Sequence, residues 1–183
     1  MVSWTDYTYQ SVLEYYYGPG VTVVTNEMRL SGAEGFINPT GRIYCSSPFG
    51  TRVHPVSKEV KHHGGLDIAL PGGEPIYAAN NGTVTLVRNN VTAINNCNYG
   101  YGNYIIIEHD NGLSTLYAHI KYGSIPESIV VGKKVRKGQQ IGSIGSTGCS
   151  TGNHLHYEVR ENNVQVDPSK YMDLSEASGS CKK

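Results

Sequence analysis

From Arg42 onward the chain breaks into short runs of strand-forming residues separated by turn residues, and this punctuation limits the fold more than any other feature. Runs near 42–45, 66–70, 75–79, 82–88, 104–109, 114–120, 140–145 and 154–161 read as strands. "NNG" (80–82) and "DNG" (110–112) are turn signals, and the second lies between "YIIIEH" and "LSTLYAHI", where a hairpin loop belongs. Glycine fills 22 of 183 positions, well above the usual ~7%, as many tight turns require. The one strong helical period comes earlier. "YTYQSVLEYYY" (7–17) sets Tyr9, Val12, Leu13 and Tyr16 on one face before "GPG" stops it, and "VTVVT" (21–25) follows as a short strand. Residues 31–41, "SGAEGFINPTG", show no period and read as a linker. The expectation is an all-β domain over 42–173, preceded by a short helix and strand (1–30) and followed by a tail (174–183).

Bulk properties exclude several partners. Fifteen basic and fifteen acidic residues cancel, so nothing chain-wide draws the protein to nucleic acid or to an anionic membrane. No stretch approaches the ~18 apolar residues of a membrane span. "MVSWTDYTYQ" lacks the basic start and apolar run of a secretory signal. Tyrosine outnumbers phenylalanine fourteen to two, which suits half-buried strands or a polar binding groove.

Histidines stand at 54, 62, 63, 109, 119, 154 and 156. In "GNHLHYEV" the strand alternation puts His154 and His156 on one face and Leu155 on the other. Two such imidazoles either converge on one ion or substrate atom, or are two exposed polar residues opposite a core leucine. In "KHHGGLDIALP", His63 and Asp67 lie four apart, and the paired glycines between them allow a bend that brings them together. Imidazole with carboxylate is a donor set suited to zinc. His119 ends another strand in "LYAHI". HExxH, GxSxG and a phosphate-loop GK[ST] are all absent, so "GSIGSTGCSTG" reads as a loop delivering the His-Leu-His strand.

Three stretches together carry a resemblance: "SPFGTRVHPVSKEVKHHGGLDIALPGGEPIYAANNGTV", "GNYIIIEHDNGLSTLYAHI" and "VGKKVRKGQQIGSIGSTGCSTGNHLHYEV". From about Cys45 to Pro168 the chain resembles the lysostaphin-type (LytM-type) zinc metallopeptidases. The resemblance implies an antiparallel β-sheet, barrel-sandwich-like, with the site in a groove. It implies a peptidoglycan endopeptidase that cuts peptide stems or cross-bridges of the bacterial wall. His63, Asp67 and His156 become ligands of one Zn2+ per chain, and His119 and His154 become catalytic rather than ligating. His62 falls outside the motif and is an exposed or supporting residue. His54 holds a common family position without a direct catalytic role, and His109, before a turn, reads as a surface residue. A catalytically inactive relative acting as a binding or regulatory module is the alternative. A carrier domain is disfavoured, since no lysine sits at a hairpin tip in the carriers' setting.

Cys45, Cys97, Cys149 and Cys181 contain no CxxC pair. They read either as two disulfides of an exported chain, with three pairings open, or as free thiols. The resemblance places the loops of Cys97 and Cys149 along the groove, which favours Cys97–Cys149 as a clamp on its wall and leaves Cys45–Cys181 to join the ends. Residues 7–24 resemble the end of a sporulation stage II protein D-like domain, which implies a fragment of a longer, exported, wall-acting protein.

Overall fold

A computed structural model describes residues 35–53 and 59–181. The helix and strand expected over 1–30, the first part of the linker and His54 lie outside the described residues. The strands are β1 (Tyr44–Ser47), β2 (Gly50–Val53), β3 (Val60–His63), β4 (Leu66–Ala69), β5 (Pro75–Tyr77), β6 (Gly82–Arg88), β7 (Asn103–Glu108), β8 (Leu113–Ile120), β9 (Lys134–Val135), β10 (Gln140–Ser143), β11 (His154–Glu161), β12 (Val164–Val166) and β13 (Ser178–Gly179). No described helix is long and apolar enough to cross a membrane.

One nine-stranded sheet runs in the order β13-β1-β4-β11-β8-β7-β6-β9, with β12 pairing the end of β11 beyond β4. Its pairs are antiparallel except β1 with β13. Two small sheets, β5 with β10 and β2 with β3, complete the fold. The eight strands read from the sequence are all present, each within two residues at its start. The short β2, β3, β9, β12 and β13 were not read, because two to four residues carry too little alternation to register.

Alternation decides which side of the main sheet is core. On β11, Leu155, Tyr157 and Val159 are fully buried against Leu66, Ile68, Ile105, Tyr117 and Ile141. The opposite face of the same strand carries His154, His156, Glu158 and Arg160. Phe36 and Ile37, from the segment read as a linker, are buried, and Phe36 packs edge-on against Tyr171. Two apolar residues without a period give no sign of this in the sequence. Cys45 is bonded to Cys181 and Cys97 to Cys149. The first bridge fixes the tail beside β1, where β13 pairs.

Candidate active site

The central strands bring together residues that lie far apart in the chain. β4 and β11 pair so that Asp67 stands opposite His156, and β8 pairs on the other side with Ala118 opposite His156. β3 ends on His63, and the glycine pair then turns the chain into β4. Space, rather than positive φ, demands the second glycine. A Cβ on Gly65 would stand 2.6 Å from the Tyr157 carbonyl oxygen and 2.9 Å from the His156 ring.

His63 Nε2, Asp67 Oδ1 and His156 Nδ1 form a triangle with sides of 3.1, 2.8 and 3.2 Å. A tetrahedral zinc with bonds of about 2.0–2.1 Å separates its ligand atoms by roughly 3.3 Å, so the triangle has the size of such a site. The hydrogen bonds on the far side of each ring agree. His63 Nδ1 lies 2.8 Å from the Pro48 carbonyl, which can only accept, so the ring proton sits there and Nε2 carries a lone pair. His156 Nε2 lies 3.0 Å from Glu158 Oε1, which places that proton on Nε2 and a lone pair on Nδ1. Three acceptors therefore point at one spot with no proton between them, an arrangement that calls for a cation. In the metal-free protein a proton takes that role. Burial opposes charge on His156, but Asp67 and Glu158 outweigh it and push its pKa up to about 9. Burial likewise opposes the Asp67 carboxylate, but the protonated His156 beside it, with His63 close by, holds it well below the usual range.

Behind His156 lies a fully buried carboxylate. Glu158 Oε1 accepts from His156, from the Tyr101 hydroxyl at 2.5 Å and from Gln165 Nε2 at 2.8 Å, while Oε2 accepts from Arg160 Nε at 2.8 Å. Burial would raise its pKa, but these donors bring it down to about 2. Ser47 supports the other end, near His63, and takes a hydrogen bond from Arg52.

His119 and His154 flank the triangle, their ring centres 4.6 Å apart. His119 occupies a register shift between β7 and β8, where Tyr117 faces Ile105 and Ile120 faces Asn103, so β8 holds one extra residue. Its φ is +60°, a conformation ordinary residues avoid, and it turns the ring out of the strand's alternation toward His154. His119 Nδ1 donates to the Thr147 carbonyl at 2.7 Å, leaving a lone pair on Nε2. Burial pulls the pKa of this imidazole down to about 4. His154 Nδ1 donates to the Gly152 carbonyl at 2.8 Å, and its Nε2 lies 3.9 Å from Asp67 Oδ1. A pocket of about 260 Å³ beside them is lined by Gly100, Tyr101, His119, Cys149 and His156.

All five residues singled out in the sequence thus converge. His62 is exposed, edge-on to Phe49, as expected. His109 is not the surface residue its turn-side position implies. It is 7% exposed, bonded to the Asn81 carbonyl and the Thr115 hydroxyl, because the chain folds back over it from β6. Tyr101, Glu158 and Thr147 were missed. Only Glu158 left a trace, as an acidic residue on the histidine face of the "HLHYE" strand.

Residues 61–168 match the model of Peptidase family M23. The DD-carboxypeptidase/endopeptidase Mpg of Neisseria meningitidis is 42% identical over 132 residues, which are 72% of this chain and 28% of that protein. The chain therefore spans less than a third of the length of the curated relatives it matches. A zinc-containing peptidase from Vibrio cholerae aligns over 76% of this chain and 44% of its own, at 31% identity and a TM-score of 0.57. The catalytic domain of the prophage-encoded M23 protein EnpA from Enterococcus faecalis, as its A109H mutant, covers 72% of this chain at 32% identity. In that case 92% of the solved chain is spanned, with a TM-score of 0.57.

Proposed function

Because this chain belongs to peptidase family M23, we propose that it is a zinc-dependent endopeptidase that hydrolyses peptide stems or cross-bridges of bacterial peptidoglycan. The observation that carries this is the triangle of lone pairs on His63, Asp67 and His156 beside two further imidazoles. Zinc bound there supplies Lewis acidity, polarising a carbonyl oxygen and acidifying water. The chain's own groups do the rest. His119, neutral and with Nδ1 engaged by Thr147, presents Nε2 to take a proton from the attacking water. His154, whose Nδ1 donates to Gly152, has a proton on Nε2 only as the imidazolium. In that form Nε2, beside the Asp67 carboxylate, donates a hydrogen bond to the developing oxyanion or passes its proton to the leaving amine and returns to the neutral ring. Two disulfides suit an exported, wall-facing protein. The relatives' printed names specify DD-peptide bonds, so D-amino-acid cross-links are the first substrates to try.

The test is digestion of purified peptidoglycan of known cross-link chemistry by the zinc-loaded protein, with the new amino termini identified. Release of defined termini that stops on chelation and returns with zinc is expected. An intact wall after incubation with fully loaded protein would leave the inactive binding module as the better reading.

A further inference from the structure

Tyr101 touches both halves of the site, the His156 half by its side chain and the His119 half by its backbone. Tyr101 lies in the stretch ahead of β7. Its hydroxyl donates to Glu158 Oε1, the same oxygen that holds His156 Nε2, and its ring stands 5.6 Å from the His156 ring. Its backbone carbonyl accepts the His119 N–H at 2.9 Å. The loop around it is tied to the loop of Thr147. Cys97 is bonded to Cys149, the Cys149 N–H meets the Gly100 carbonyl at 2.8 Å, and the Asn96 N–H meets the Gly148 carbonyl at 2.7 Å. That second loop supplies the Thr147 carbonyl that orients His119. The metal-side imidazole and the proton-accepting imidazole are therefore referenced to one loop.

We propose that Tyr101 is a positioning residue that sets His156 and His119 relative to one another, through Glu158 on one side and its own backbone on the other. The inference rests on the reading of His156 as a zinc ligand. Tyr101 does not act on substrate directly, because its hydroxyl is committed to a buried carboxylate. With the hydroxyl gone, Glu158 keeps Arg160 and Gln165 but loses a short donor on the oxygen that steers His156. The cost falls on ligand orientation and on the registry of His119.

Tyr101→Phe keeps the ring and removes only the oxygen. Zinc affinity, measured by competition with a chromophoric chelator, is expected to fall by about tenfold, within the range for partners that orient a metal ligand. At saturating zinc, kcat is expected to fall by about tenfold with KM unchanged. A wild-type zinc affinity overturns the proposal, and so does a rise in KM with kcat intact, which makes Tyr101 a substrate contact. A lower melting temperature with both properties preserved also overturns it, as a purely structural role predicts. The zinc measurement needs no substrate, so weakened binding by a protein that cleaves no wall peptide supports the positioning role while refuting the endopeptidase reading. Should Tyr101→Phe fail to fold, the Cys97→Ser/Cys149→Ser pair keeps the network's side chains and frees the loop. Zinc affinity is then expected to drop at least about threefold, and an unchanged value overturns the proposal.

Discussion

His119 Nδ1 donates to the Thr147 carbonyl oxygen at 2.7 Å, and that one bond decides which nitrogen of the ring faces the site. A backbone carbonyl cannot donate, so the tautomer is fixed and Nε2 is left as an acceptor. The left-handed backbone of His119 aims that nitrogen past the strand's own alternation.

On the proposed reading, replacing His119 separates proton transfer from metal binding. Asparagine is the suitable substitute, since it tolerates positive φ better than alanine does. His119→Asn is expected to retain about one zinc per chain while kcat falls by about 10²–10⁴-fold, the usual contribution of a positioned acid–base group. Metal analysis beside a peptidoglycan-digestion assay checks both. Loss of zinc from this variant would place His119 among the ligands.

Gly65 tests the close approach behind His156. A methyl group there meets the Tyr157 carbonyl, which is backbone and cannot swing aside, and the imidazole itself. Gly65→Ala is expected to cost about 1–3 kcal/mol of stability and to weaken zinc binding. The nearest atoms to a methyl group in Gly64→Ala belong to the carboxamide of Gln165, the end of a flexible side chain, and this variant is expected to cost less. Chemical denaturation and chelator competition on the two variants give the comparison. Equal effects would mean that the pair serves backbone bending alone.

The site was far more legible in the sequence than its supports. The grouping of His63, Asp67, His119, His154 and His156 could be read because their motifs resemble those of a known family; alternation alone put His154 and His156 on one face, and spacing alone only allowed His63 and Asp67 to meet. Tyr101 and Glu158 could not be read, because their partnership joins a loop to a strand through a hydroxyl and a carboxylate that have no required spacing. His109 was misjudged for a related reason. Proximity to "DNG" marks a turn, but whether another strand covers the turn's first residue depends on β6 and β7 pairing. The main strands showed themselves through length and alternation, whereas β13, two residues just ahead of the Cys45–Cys181 bridge, had neither.

Tyr157 sits on the core face of β11, fully buried, and its hydroxyl has no hydrogen-bond partner among the described residues. An unmet buried hydroxyl costs about 1–3 kcal/mol, while the ring's contact with Tyr117 at 5.4 Å survives its removal. Tyr157→Phe is therefore expected to stabilise the fold, by about 1 kcal/mol. Thermal unfolding of the zinc-loaded proteins should show a midpoint about 2–4 °C higher. A lower midpoint would show that the hydroxyl is satisfied.

His109 predicts a pH dependence separate from that of the candidate metal site. Its Nδ1 meets the Asn81 carbonyl at 2.7 Å, its Nε2 the Thr115 hydroxyl at 2.7 Å, and that hydroxyl continues to Tyr117 at 2.9 Å. Burial lowers its pKa below the ordinary 6.5, with the Asn81 carbonyl only partly offsetting it. The unfolded chain therefore takes up a proton near 6.5, while the folded chain resists until lower pH. Between those points the unfolded state binds more protons, so stability is complete above the unfolded pKa and is lost as pH falls toward the folded one. His109→Gln keeps a polar group there but cannot take up the proton. Melting temperatures of both zinc-loaded proteins at about pH 7.5 and about pH 5 isolate the effect, because acid losses at the metal centre are common to the two. The wild-type protein is expected to lose more stability on acidification than the variant. Equal losses would mean that His109 accepts its proton in the folded state as readily as in the unfolded chain.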